Sequence, residues 1–276
     1  MRNISLVILF FLSYSCTSMS QERRDSVINT SDSISCQKDS IITSRLTLLF
    51  AGDLMQHQAQ INAARTSTGY DYSDCFKFVK EEINRADIAI ANLEVTLGGK
   101  PYRGYPAFSA PDEYLFAIRD AGFDVLITAN NHCLDKGKKG LERTLLMLDS
   151  LQIPHAGTYV NTESREQQYP LLLEKNGFRI ALLNYTYGTN GIKVTSPNVV
   201  NYIDKAVMAQ DIEAARAQHP DALIACMHWG DEYQSLPNKE QKNLTDWLLQ
   251  QGVTHIIGSH PHVVQPMELR TDSITG

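Results

Sequence analysis

The sequence predicts an α/β fold with a largely parallel sheet and helices on its faces. Two observations carry this expectation. Short apolar runs alternate with stretches whose Leu, Ile and Phe recur at helical spacing, through most of the chain from residue 45 onward. The apolar runs also end in polar, chemistry-bearing residues, where open α/β sheets carry their ligands.

Taken in order, LTLLFAG from Leu46 is a short apolar run ending in Gly, as a buried strand should. Phe76, Val79 and Ile83 share one face of a helix, and ADIAIANLE follows as a strand. Leu115 and Ile118 mark a helix introduced by Pro111-Asp112 and stopped by Gly122. FDVLITAN is a strand, and Leu141, Leu145 and Leu148 stripe the next helix. RIALLNY is a strand, Val207 to Ala217 a helix, and DALIACMHW another strand. Leu244, Trp247 and Leu248 give a last helix, ended by Gly252, before the strand THIIGSH. Alternation of this kind builds parallel sheets, because each crossover helix returns the chain to the same sheet edge.

The composition is that of a globular protein, 43% hydrophobic and 20% charged over 276 residues. A net charge of -6 with scattered Lys and Arg argues against a nucleic-acid partner, which selects a basic face. At the N-terminus, Met1-Arg2-Asn3 precedes an apolar stretch from Ile4 to Leu12, too short to span a bilayer. Ser13-Tyr14-Ser15-Cys16 follows and is a loose match to a bacterial lipidation site. Residues 1–16 are therefore expected to be an export signal. The mature protein is expected at the cell envelope, held to the membrane by a lipid on Cys16. Residues 17–44, rich in Ser, Thr and Asp, read as a flexible polar tether, and 45–276 as one folded domain. Cys133 and Cys226 read as buried free thiols, while a Cys36–Cys75 disulfide stays open.

The strand ends carry Asp53, then Asn92 with Glu94, then Asn130-Asn131-His132 with Asp135, then His228, and finally His260-Pro261-His262. Each residue alone has an ordinary explanation as a cap, a turn or a bonded core histidine. Carboxylate, amide and imidazole gathered on one sheet edge, strand after strand, suit divalent transition metals instead. Pro261 fixes its own φ and stiffens the turn, so His260 and His262 can project differently and serve different ions.

The segments GDLM, ADIAIANLE, ANNHCLD, MHWGDEY and GSHPHVVQPME, in this order, resemble the CapA family of capsule or poly-γ-glutamate synthesis proteins. The resemblance runs from residue 46 to 269. That family is similar in turn to the calcineurin-like metallophosphoesterases, which implies a four-layered α/β/β/α sandwich and a centre for two divalent ions (Mn, Fe or Zn). It implies Asp53 and His262 at the first ion, Glu94 as the bridging carboxylate, and Asn131, His228 and His260 at the second. His132 then protonates the leaving group. Met55 stands where the wider superfamily has a histidine ligand, which leaves the first ion short of one. Relatives usually continue past this point into a further strand, so the chain is expected to be a fragment or a trimmed fold, either lacking a closing C-terminal strand.

Two functions follow from the resemblance. One is a metal-dependent, phosphoesterase-like hydrolase acting on an anionic envelope polymer or a phosphoester precursor. The other is a non-catalytic, polymer-binding subunit of a capsule synthesis or export complex. Tyr102, Arg103, Tyr105 and Phe108 either contact polymer or pack beneath a solvated loop.

Overall fold

The computed structural model describes the backbone of residues 10–15 and residues 44–271. Cys16, Cys36 and residues 17–43 lie outside the described residues, and with them the lipidation site, the tether and the candidate disulfide.

In chain order the elements are β1 (Phe10–Ser15), β2 (Arg45–Leu54), α1 (Gln58–Ala63), α2 (Lys80–Asn84), β3 (Ile88–Leu93), α3 (Asp112–Ala121), β4 (Val125–Ile127), α4 (Gly137–Ser150), β5 (His155–Ala156), β6 (Thr158–Tyr159), α5 (Thr162–Gln168), β7 (Leu171–Lys175), β8 (Phe178–Thr186), β9 (Val199–Val200), α6 (Lys205–Arg216), β10 (Ala222–His228), α7 (Lys239–Gln250) and β11 (His255–Ser259). One sheet runs β1-β2-β3-β4-β5, parallel except for β1, and a second runs β11-β10-β8-β7, parallel except for β7. A short ribbon pairs β6 with β9.

Side-chain alternation stacks these sheets. In β2 and β3, Leu46, Phe50, Ile88 and Ile90 point to one face and join Leu182 of β8 and Ile224 of β10 between the sheets. Leu49, Ala89, Ala91 and Leu93 point to the other face, against Ile61, Ile83, Leu115 and Ile118 of α1, α2 and α3. Met208, Ile212, Leu244 and Leu248 of α6 and α7 belong to the core on the side of the second sheet. The layers are therefore helix, sheet, sheet, helix, the expected α/β/β/α order. Among the described residues, no helix is long and apolar enough to cross a membrane.

The helix boundaries follow local chemistry. Pro111 is the extended N-cap of α3, and Gly122, at φ 110°, stops it in the left-handed region that glycine tolerates. Asp204 caps α6 by accepting from the N–H groups of Ala206 and Val207, and Asn238 forms a capping box with Gln241 at α7. The helix expected around Phe76 to Ile83 is shorter than its stripe. A 3-10 turn at Ser73–Cys75 holds the start, and α2 begins only at Lys80.

Candidate metal centre

β2, β3 and β4 run parallel in the first sheet and β8, β10 and β11 in the second, and contacts of Asn92 and Asn131 with His228 bring the carboxyl ends of the two sheets together. The register between β2 and β3 shifts after Ala51, and beyond Gly52 the chain sets Asp53 opposite Asn92. Asn92 Nδ2 then donates to Asp53 Oδ1 at 2.8 Å and to Glu94 Oε2 at 3.1 Å. Asn92 thus stands behind the centre and orients both carboxylates.

His228 ends β10 fully buried. Its Nε2 lies 2.9 Å from Asn131 Oδ1 and 3.6 Å from Glu94 Oε1, and its Nδ1 lies 3.0 Å from Ser259 Oγ. His262 Nδ1 meets Asp53 Oδ2 at 3.0 Å, and its Nε2 lies 4.0 Å from Glu94 Oε1. His260 packs at a tilt against its neighbours, its ring centroid 4.8 Å from that of His228 and 4.7 Å from that of Tyr187. The turn that holds them is conformationally costly. His260 and His262 sit at φ 96° and 54°, with Tyr233 at 61° and Asn190 at 50° nearby, a region that non-glycine residues enter at some energetic expense.

Two sets of ligand atoms come together within 4.8 Å, Asp53 with Glu94 and His228, and Glu94 with His260 and His262. Each set joins one residue expected at either ion, and Glu94 is common to both. Two buried atoms at this point have no hydrogen-bond partner, Glu94 Oε1 and His260 Nδ1. A buried unpaired polar atom is costly, and a cation removes that cost. The gaps of 3.6 and 4.0 Å from Glu94 Oε1 to the two imidazoles are too long for hydrogen bonds. They match ligand atoms disposed around a shared ion, since bonds of about 2.0–2.2 Å put neighbouring donors roughly 3–4 Å apart. The donor set of oxygen and imidazole is that of a divalent metal site, and these residues fit one.

The electrostatics agree. Burial, then the negative charge of Asp53, pushes the Glu94 carboxyl well above the usual range. Burial would raise Asp53 too, but the hydrogen bond from His262, the charge of His228 and the bonds with Glu94 and Asn92 together outweigh it and hold that carboxyl well below its usual range. Burial pushes His228 down to about 3, helped by the imidazoles of His260, His262 and His132, so His228 is a neutral ligand at physiological pH.

His132 lies in the turn after β4 and is buried. Its Nδ1 pairs with Asp135 Oδ2 at 2.8 Å, and that oxygen also accepts from the Phe108 N–H at 2.7 Å. The Phe108 and His132 rings pack T-shaped with centroids 4.6 Å apart, and Phe108 is fully buried, so it lies beneath the loop and not on its surface. Met55 packs with the helix-side core, and its carbonyl accepts from the Tyr114 hydroxyl at 3.3 Å. Cys133 and Cys226 are buried free thiols, as expected, and Cys75 is exposed.

All seven residues expected at the site, Asp53, Glu94, Asn131, His132, His228, His260 and His262, lie at these strand ends. Four more matter to which sequence reading gave no role, although it placed Asn130 and Asp135 at the strand ends. Asn130 Nδ2 donates to Asn92 Oδ1 at 3.1 Å and to the Leu93 carbonyl at 2.8 Å, fixing Asn92 in turn. Asp135 and Ser259 orient His132 and His228. Asn190 accepts from Asn131 Nδ2 at 3.4 Å. Asp135 already stood beside His132 in the sequence, three residues on, whereas Asn190 comes from a loop with no pattern to mark it.

A family model described as bacterial capsule synthesis protein PGA_cap matches residues 47–274. The chain belongs to the PGA_cap family. Among curated PGA_cap-like relatives, the capsule biosynthesis protein CapA of Bacillus anthracis is 26% identical over 241 residues, which is 83% of this chain and 57% of that protein. The PGA biosynthesis protein CapA of Bacillus subtilis (strain 168) is 28% identical over 239 residues, 83% of this chain and 60% of that one. This PGA_cap chain thus spans less than two thirds of both relatives. A solved structure, the NAD nucleotidase NadN of Haemophilus influenzae, aligns at TM-score 0.40 and 16% identity over 62% of this chain and 39% of its own. That degree of likeness assigns neither fold nor activity.

Proposed function

We propose that this protein acts in the synthesis or export of an anionic envelope polymer of the polyglutamate type, as a metal-dependent, phosphoesterase-like hydrolase. The observation that carries the reading is Glu94 Oε1, buried, without a hydrogen-bond partner, and common to two ligand sets. Asp53, Glu94, Asn131, His228, His260 and His262 would hold two ions of Mn, Fe or Zn. Bound there, such a pair supplies Lewis-acid stabilisation of charge developing on oxygen and a more acidic water. Asn92 holds the two carboxylates in place, and Ser259 orients His228. His132 acts as general acid. Asp135 engages its Nδ1, so the proton passed to a leaving oxygen is the one on Nε2. Phe108 packs on that ring and keeps water from one side of it.

A second reading, a polymer-binding subunit without turnover, draws on Met55, whose side chain sits in the core and supplies no imidazole to the first ion. The two separate on one experiment. The full chain, reconstituted with Mn, Fe or Zn, is offered a panel of phosphomonoesters and phosphodiesters. Hydrolysis that stops on chelation and returns with metal is the expected result. Metal-replete protein that cleaves none of them would replace the hydrolase with the binding subunit.

A further inference from the structure

A groove of about 570 Å³ opens on the surface between Arg65, Tyr70, Lys100, Pro101 and Tyr102. Arg65 and Tyr70 face each other across the turn after α1, where they form an antiparallel bridge. Lys100 to Tyr102 come from the loop between β3 and α3. The Tyr102 ring meets that of Tyr70 edge-on at 5.4 Å, and the Arg65 guanidinium lies 5.8 Å from the centre of the Tyr70 ring.

Arg65, Lys100 and the neighbouring Arg103 are exposed, and among the described residues none is paired with a carboxylate. On a chain of net charge -6, such a trio is a local positive island. Asp112, on the same side, is already held by Arg143 through bonds of 2.8 and 2.7 Å. Glu113 remains as a counter-charge beside Gly69, where an added Cβ would lie 3.1 Å from its Oε1. Asp71, beside Tyr70 and backbone-bonded to Ala64, is a second, and two carboxylates do not neutralise three cations.

The groove is tied to the metal centre by a single loop. Arg103 and Ser109 close it with backbone bonds of 3.0 and 2.9 Å, and within that closure Phe108 packs on His132. A ligand lying over Lys100 and Tyr102 therefore rests on the same loop that walls the proton donor.

We propose that this groove is a subsite for an extended polycarboxylate chain, held alongside the metal centre. Cations interleaved with half-buried tyrosine rings match a polymer whose carboxylates alternate with methylene stems. The carboxylates meet Arg65 and Lys100, and the stems pack on Tyr70 and Tyr102. A polyphosphate has charge but no apolar stem to lay on the rings. This inference rests on the function proposed above for the polymer class, but not for hydrolysis.

The test is calorimetric titration of the full chain with polyglutamate and, separately, with polyphosphate, at low and at 0.3 M salt. Wild-type protein should bind polyglutamate more tightly than polyphosphate, and more weakly as salt screens the charges. The double variant Arg65→Glu/Lys100→Glu should bind polyglutamate about tenfold more weakly or worse, with metal content and melting temperature as in wild type. Tyr102→Ala should weaken polyglutamate binding and leave polyphosphate binding unchanged. Wild-type affinity in the double variant would overturn the subsite, whatever the phosphoester panel shows. Equal or tighter binding of polyphosphate by the wild type, or no binding of polyglutamate, would overturn it as well. A wild-type protein that hydrolyses no phosphoester yet loses polyglutamate on charge reversal would sink the hydrolase and leave the subsite standing.

Discussion

Glu94→Gln is expected to empty both halves of the metal centre in one step. Glu94 belongs to both ligand sets, whereas His228 belongs to one of them and His260 to the other. The substitution keeps the side chain's size and the reach to Asn92 while removing the charge. Residues that merely support a ligand cost about 10–100-fold in affinity, so loss of the shared ligand should cost more. Hydrolysis should fall to background with it. His228→Ala or His260→Ala should instead lower metal content without removing all of it. The metal-free fold gives an internal control. Burial and the adjacent Asp53 penalise the charged Glu94, so the neutral variant should melt no lower than wild type when both are stripped of metal. Elemental analysis alongside thermal melts of chelated protein checks both points. Wild-type metal content in Glu94→Gln would show that the carboxylate is not shared.

His132→Gln should do the reverse, keeping metal and fold while losing turnover. The His132 side chain touches Asp135 and Phe108, and it stands outside both ligand sets. General acid catalysis contributes about 10²–10⁴-fold, and the fall in kcat should be of that size. Asp135→Asn should give a smaller loss, because His132 remains but its Nδ1 no longer faces a carboxylate. Single-turnover kinetics on a phosphoester with a poor leaving group read this most clearly, since such a substrate depends most on protonation. Unchanged turnover in a metal-replete His132→Gln protein would remove His132 from the proton path.

Much of this was legible in the sequence because it depends on short-range order. Apolar periodicity located β2, β3, β8, β10 and the main helices, and parallel order then places Asp53 and Glu94 at the carboxyl end of one sheet and His228 at that of the other. The segments that escaped are those whose pattern is too short or is set by tertiary contact. β5, β6 and β9 are two residues each, too short for alternation to register. The β7–β8 hairpin did leave a signal, Asn176-Gly177 at φ 53° and 83°, the pair that favours tight hairpin turns, but its strand LLLEK is short and ends in two charged residues. At the site, residue type revealed the donors but not the hydrogen bonds behind them. Of the adjacent amides Asn130 and Asn131, one fixes Asn92 and the other faces His228, a division decided by where the turn after β4 points each side chain. The direction of the HPH turn likewise depends on the left-handed backbone at His260 and His262, which the flanking proline does not by itself dictate.

The central claim is a centre built around one shared carboxylate, and the metal-to-protein ratio tests it most directly. Full-length protein is stripped with chelator, reconstituted with Mn, Fe or Zn, desalted and measured by elemental analysis. The account predicts about two ions per chain, as in other centres where paired metals clamp the attacking and leaving oxygens. A ratio that never exceeds one, or no bound transition metal at all, would contradict it.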